Sequence, residues 1–153
     1  MKISFDIDDT LILYDRTAGR GPRLLNGERL RPGAVELLRD LQARHELYLY
    51  TTSYRSPWLM RLCFRLRGIR IARVINQTEH EGLRTQLSLF PFPSKYPPHF
   101  RIHLHIDDSE GVAREGERYG FRVLQLDPSD KNWATTVRNY IADLEKDRER
   151  GGG

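Results

Sequence analysis

The chain has 153 residues, 39% of them hydrophobic and 30% charged, with a net charge of +4 and a single cysteine. That is enough for one domain with a real core, and a lone Cys63 excludes an intrachain disulfide, so a reducing cytoplasm is the expected setting. No apolar run approaches the length of a membrane span, and the opening MKISFDIDDT leads into acids rather than into a signal peptide.

Residues 2–7 alternate as a buried strand and run into Asp6, Asp8, Asp9 and Thr10. Residues 31–45 carry Pro near a helix start and then Ala34, Val35, Leu37, Leu38 and Leu41 at helical spacing. A strand is expected at 46–52, a helix entered by Ser-Pro and closed by Gly at 56–68, and a strand at 71–76. The segment 77–100 reads as a loop with one short helical turn. A strand at 101–107, a helix at 109–120 closed by Gly120, a strand at 121–127 and a helix at 132–149 complete the pattern. Strands alternating with helices imply an α/β fold, a three-layer α/β/α sandwich around a central parallel sheet. One domain is expected over residues 1–150, with 151–153 as a flexible tail.

In an open parallel sheet the ligand sits at the carboxyl ends of the strands. The first strand ends at Asp6, with Asp8 two residues on; the second ends at Thr51, Thr52 and Ser53; the fourth ends at Asp107, Asp108 and Ser109. Lys95 precedes the fourth strand and is the only lysine between Lys2 and Lys131. Two carboxylates about 4 Å apart repel by about 4 kcal/mol at an effective dielectric of about 20. Four acids at one edge therefore require protonation or a cation. A hard divalent ion fits oxygen ligands best, and Mg2+ is the expected cofactor; the chain has no Cys cluster for a soft metal.

Asp6 and Asp8 share one face of extended chain. One carboxylate can attack a phosphoryl group while the other serves as general acid and base. Thr51 and Lys95 are placed to hold the transferring phosphoryl oxygens.

The stretches FDIDDTL, LYLYTTS, Lys95 and LHIDDSE, in this order, resemble the four motifs of the haloacid dehalogenase-like (HAD) phosphatases over residues 2 to 127. The resemblance implies a HAD-like Rossmannoid core and hydrolysis of phosphate monoesters through an aspartyl-phosphate. It implies Asp6 as nucleophile and metal ligand, Asp8 as acid/base with its carbonyl on the metal, and Thr51 and Lys95 on the phosphoryl group. Asp107 is the further expected metal ligand, with Asp108 as a second or a water-mediated one. Arg55, with Thr52 and Ser53, reads either as a substrate contact or as a surface residue capping a turn. Too few residues separate Leu11 from Arg31, or fill 77–100, for a cap domain, so a capless member with an open site is expected. A partner chain could close such a site, and a homo-oligomer is one arrangement that would do so.

The segment 14–31 carries Arg16, Arg20, Arg23, Arg29 and Arg31 and reads either as a solvated loop or as a basic gate for a phosphorylated substrate. His103 and His105 form an H-x-H expected to pack with hydrogen bonds rather than to bind zinc. Cys63 is expected to be an inert buried thiol, and Asp9 to serve a turn. Removing the charge of Asp107 is expected to relieve repulsion and leave stability unchanged or higher. Two alternatives accompany the phosphatase reading. One is a receiver-like module phosphorylated without turnover; the order of acids argues against it, because receivers take their accepting Asp from a middle strand. The other is a nucleic-acid-interacting protein, raised by a pI of about 9.4 and not favoured.

Overall fold

The structure is a computed structural model and describes residues 1–14 and 21–152. Five parallel strands form one sheet: β1 (Lys2–Phe5), β2 (Glu46–Tyr50), β3 (Ile71–Ile75), β4 (Leu104–Asp107) and β5 (Val123–Gln125). Their spatial order is β3-β2-β1-β4-β5. Among the described residues five α-helices connect or follow them: α1 (Ala34–Gln42), α2 (Pro57–Arg65), α3 (Gln77–Gly82), α4 (Glu110–Tyr119) and α5 (Trp133–Gly151). The chain steps one way from β1 through β3, crosses over, and steps the other way through β4 and β5. Right-handed crossovers then put α1 and α2 on one face, and α3 and α4 on the other.

Alternation along β2 shows how the strands divide between layers. Leu47 and Leu49 join the larger apolar cluster with α1, α2 and α5, whereas Tyr48 and Tyr50 join Ile75, Leu83, Phe100 and Ile102 on the opposite side. Cys63 is buried in the larger cluster, as expected of an inert thiol. No helix among the described residues is long and apolar enough to cross a membrane.

Local chemistry sets the element ends. Ser56 and Ser109 cap α2 and α4, their hydroxyls accepting from the Leu59 and Val112 amides. Helix α1 starts at Ala34 rather than at 31, because Gly33 holds a left-handed conformation (φ 87°) and Pro32 precedes it. The 77–100 segment is more ordered than a loop with one turn. Asn76 caps α3 by accepting from the Glu79 amide, and 3-10 turns follow at Leu83–Thr85 and Pro97–Phe100. Strand β4 begins at Leu104 rather than 101, since Arg101 ends the preceding turn in a left-handed conformation. Strand β5 is shorter than 121–127 because Phe121 still closes α4, its amide donating to the Gly116 carbonyl. A Cβ at Gly116 would lie 2.6 Å from the Phe121 carbonyl oxygen, so only glycine permits that approach. Helix α5 extends to Gly151, past the expected end at 149.

Candidate active site

The register of β1 and β4 creates the site. Ser4 pairs with His105 and Phe5 with Ile106, and the Asp6 amide donates to the Ile106 carbonyl at 2.9 Å. Asp6 and Asp107 therefore emerge side by side, on one face, at the carboxyl edge of neighbouring strands. Both are buried, at 5% and 1% exposure.

Lys95 offsets this repulsion. Its ammonium lies 2.7 Å from Asp6 Oδ1 and 2.6 Å from Asp107 Oδ2, and the residue is itself 2% exposed. Burial would lower its pKa, but the two aspartates outweigh burial and raise it. The two carboxylates share this cation unequally. Burial opposes ionisation of Asp107, yet hydrogen bonding from His105 and the charge of Lys95 hold it well below the usual range. Asp6 is pushed up to about 6, mainly by burial and further by Asp107, against the pull of Lys95.

His105 is fully buried between Ser4 and Asp107, with Nδ1 2.7 Å from the Ser4 hydroxyl and Nε2 2.8 Å from Asp107. A neutral ring satisfies both contacts, donating to Asp107 and accepting from Ser4, and burial lowers the His105 pKa accordingly. These are the residue types of a hydrolytic triad, but Ser4 lies inside β1, two residues before Asp6, and its hydroxyl is taken by His105. His103 instead accepts from the Lys2 amide at 2.9 Å.

The chain leaves β1 through a tight loop in which the amides of Thr10, Leu11 and Ile12 all donate to the Ile7 carbonyl. Asp9 takes a left-handed conformation (φ 58°) and accepts from the Tyr14 amide, in keeping with a turn role. This loop places the Thr10 hydroxyl 3.2 Å from an oxygen of Asp6 and 3.2 Å from one of Asp108. Asp6, Asp107 and Asp108 each present an oxygen within 4.8 Å of the others. Burial also raises Asp108. Lys95 pairs with two of these three carboxylates, Asp6 and Asp107, and burial holds Asp6 and Asp108 above the usual carboxylate range. The donor set is entirely hard oxygen, and it fits a metal ion such as a divalent cation.

Asp8 lies outside this cluster. Arg55 donates to both of its carboxylate oxygens at 2.8 Å, and the Tyr14 hydroxyl donates to it as well. Burial would raise the Asp8 pKa, but these bonds prevail and lower it. Arg55 also reaches Glu28 at 2.8 Å and Ser53 Oγ at 3.0 Å. Its guanidinium thus ties the loop after β2 to the loop after β1 and to residue 28. Thr51 is fully buried at the end of β2, its hydroxyl accepting from the Ser53 amide and 3.0 Å from Ser53 Oγ, while Thr52 is exposed on the same loop.

Arg31 requires a correction. It is no gate residue but is 2% exposed and bound to the carbonyls of Thr10, Asp127, Pro128 and Asp130, with its guanidinium 4.7 Å from the Trp133 ring centre. It fastens the β1 loop to the loop before α5. Arg23 and Arg29 donate to the carbonyls of Gly27 and Gly21 within their own segment. Arg16 and Arg20 lie outside the described residues.

Thr10, Tyr14, Glu28 and the Ser4–His105 contact escaped the reading of the sequence. The i, i+2 spacing of His105 and Asp107 on one strand was the only available signal for the last of these.

No protein-family model and no curated protein matches the chain. Among solved structures, a predicted HAD-like family hydrolase from Porphyromonas gingivalis aligns over 91% of this chain and 97% of its own, with a TM-score of 0.51 and 12% identity. The chain has a HAD-like fold. Among the described residues no separate cap domain accompanies this core, and the acidic cluster lies at its carboxyl edge.

Proposed function

We propose that this HAD-like domain hydrolyses phosphate monoesters through a covalent intermediate on Asp6. One observation carries the reading: Asp6 ends β1 beside Asp107 and Asp108, and a buried Lys95 bridges Asp6 and Asp107. A carboxylate with a pKa near 6 is largely ionised at neutral pH, and Lys95 is positioned to accept part of the charge that accumulates when a phosphate monoester approaches.

In the first step a carboxylate oxygen of Asp6 forms a bond to phosphorus while the ester P–O bond breaks. The departing alkoxide takes a proton, for which Asp8 is the nearest candidate in the motif. In the second step water attacks the phosphorus, its proton passes to Asp8, and the bond to Asp6 breaks to release inorganic phosphate. Asp8 is ionised in its grip by Arg55, so it must leave that grip, or take a proton within it, before acting as an acid. Thr51 and Lys95 are the proposed partners of the phosphoryl oxygens, and Ser53 and Arg55 those of the substrate. Asp6, Asp107 and Asp108 would hold Mg2+, which when bound supplies neutralising charge to the phosphoryl group. A receiver-like module without turnover is less well supported, because an acid/base candidate sits two residues from the acceptor.

The test is hydrolysis of p-nitrophenyl phosphate by wild type and Asp6→Asn, each with Mg2+ and with chelator. Activity that requires both Mg2+ and Asp6 is expected. Turnover by Asp6→Asn near the wild-type rate would defeat the covalent route.

A further inference from the structure

A second feature lies along α2 and involves none of the residues of the acidic cluster. The outward face of this helix carries Trp58, Arg61, Leu62 and Arg65 at spacings of three, four and seven residues, so they form one stripe. Across from it Arg70 directly precedes β3 and Ile71 opens it, β3 being one edge strand of the sheet. Between them runs a groove of about 600 Å³. Among the described residues three arginines line it and no acid does. Arg65 and Arg70 are exposed, and among the described residues none of the three arginines forms an ion pair. Arg61 is fixed in place by donating to the Ile71 carbonyl at 3.2 Å. Trp58 is 73% exposed, an unusual position for the largest apolar side chain.

We propose that this groove binds single-stranded nucleic acid, with phosphates on Arg61, Arg65 and Arg70 and a base stacked on Trp58. Exposed, unpaired arginines without an acid among them attract a polyanion. Arg61 and Arg65 are four residues apart, which is about 6 Å along a helix axis and suits successive phosphates of an unstacked strand. An acidic peptide would satisfy the arginines but has no flat ring system for Trp58, whereas every nucleobase does. A duplex keeps its bases stacked inside and does not offer one to the exposed Trp58 indole. The orientation of α2 adds a link to the candidate active site. Pro57 follows directly on the loop that carries Thr51 and Arg55, so Trp58 lies at the carboxyl edge of the sheet and Arg70 at the opposite edge. A strand in the groove leads away from the catalytic edge. Binding itself does not depend on the phosphatase reading.

Fluorescence anisotropy with a labelled single-stranded oligonucleotide lacking terminal phosphates tests the proposal, on wild type and on Asp6→Asn, across a salt series. Both proteins are expected to bind, with affinity falling steeply as salt rises. Arg65→Ala/Arg70→Ala, which touches no buried contact, is expected to weaken binding at least tenfold. It should also flatten the salt slope by about 1.4, the share of two phosphate contacts on a single strand. Trp58→Ala should weaken binding without altering the slope. No binding at low salt, an unchanged affinity in the double variant, equal affinity for a duplex of the same length, or equally effective competition by polyglutamate would each overturn the proposal. Loss of binding in Asp6→Asn would place the strand in the catalytic cluster and also overturn it. Inactivity of the wild type toward p-nitrophenyl phosphate with binding intact would count against the hydrolytic reading alone.

Discussion

Arg55 grips Asp8 through two parallel hydrogen bonds of 2.8 Å, one to each carboxylate oxygen. The same guanidinium holds Glu28. The fork joins two acids from separate loops, and it decides the protonation state in which Asp8 waits.

Arg55→Met removes this fork and leaves both acids without their partner. A loss of about 1 kcal/mol is expected at neutral pH, since the pairs are partly solvated. Because the Asp8 pKa is lowered on folding, that stabilisation is present above the ordinary value of 3.8 and is lost only as pH falls through the depressed folded value. Urea midpoints of wild type and variant should differ by a constant amount from pH 7 to about pH 4 and converge only below it. Convergence already at pH 5 would mean that Asp8 is not the group stabilised.

Arg31 is expected to govern stability rather than substrate affinity. Arg31→Lys keeps the charge but cannot reach four carbonyls and stack on Trp133 at once. A loss of roughly 2 kcal/mol in chemical denaturation is expected, with KM for a phosphate ester unchanged. A raised KM at full stability would restore Arg31 to the substrate path.

Asp107 reverses the expectation drawn from repulsion alone. It accepts from Lys95, from His105 and, through Oδ1 at 2.9 Å, from the Ser109 amide. Asp107→Asn in metal-free buffer should therefore destabilise the fold, by on the order of 3 kcal/mol. Millimolar Mg2+ should raise the Tm of wild type and leave that of the variant unmoved. Equal Mg2+ shifts in both proteins would remove Asp107 from the ligand set.

His80 makes stability depend on pH away from the site. It is 1% exposed, with Nδ1 2.6 Å from the Tyr50 hydroxyl and Nε2 2.8 Å from the Pro93 carbonyl, and burial lowers its pKa below 6.5. The unfolded chain binds a proton more readily, so stability should be full above pH 6.5 and decline as pH falls from there toward the depressed folded value. His80→Asn should reduce the slope of the denaturation midpoint over that interval. An unchanged slope would mean that the imidazole is charged in the folded state.

The amino-acid sequence alone carries the order of strands and helices and the candidate edge. Both are local properties: apolar periodicity, Ser caps at α2 and α4, and acids that follow directly on β1 and β4. It also named Asp6, Asp107, Asp108 and Lys95 as a group, because strand ends in a parallel sheet share an edge whatever the register. What each charge faces was decided only in three dimensions. The pairing of Ser4 with His105 is what sets Asp6 beside Asp107 on one face; a shift of one residue would have turned one of them to the other layer. Arg31 and Arg55 lie in equally polar stretches of sequence. One ends buried among carbonyls and the other forked on Asp8, because an arginine's role depends on the acceptors within reach of a long side chain, and those acceptors come from segments 21 to 99 residues away.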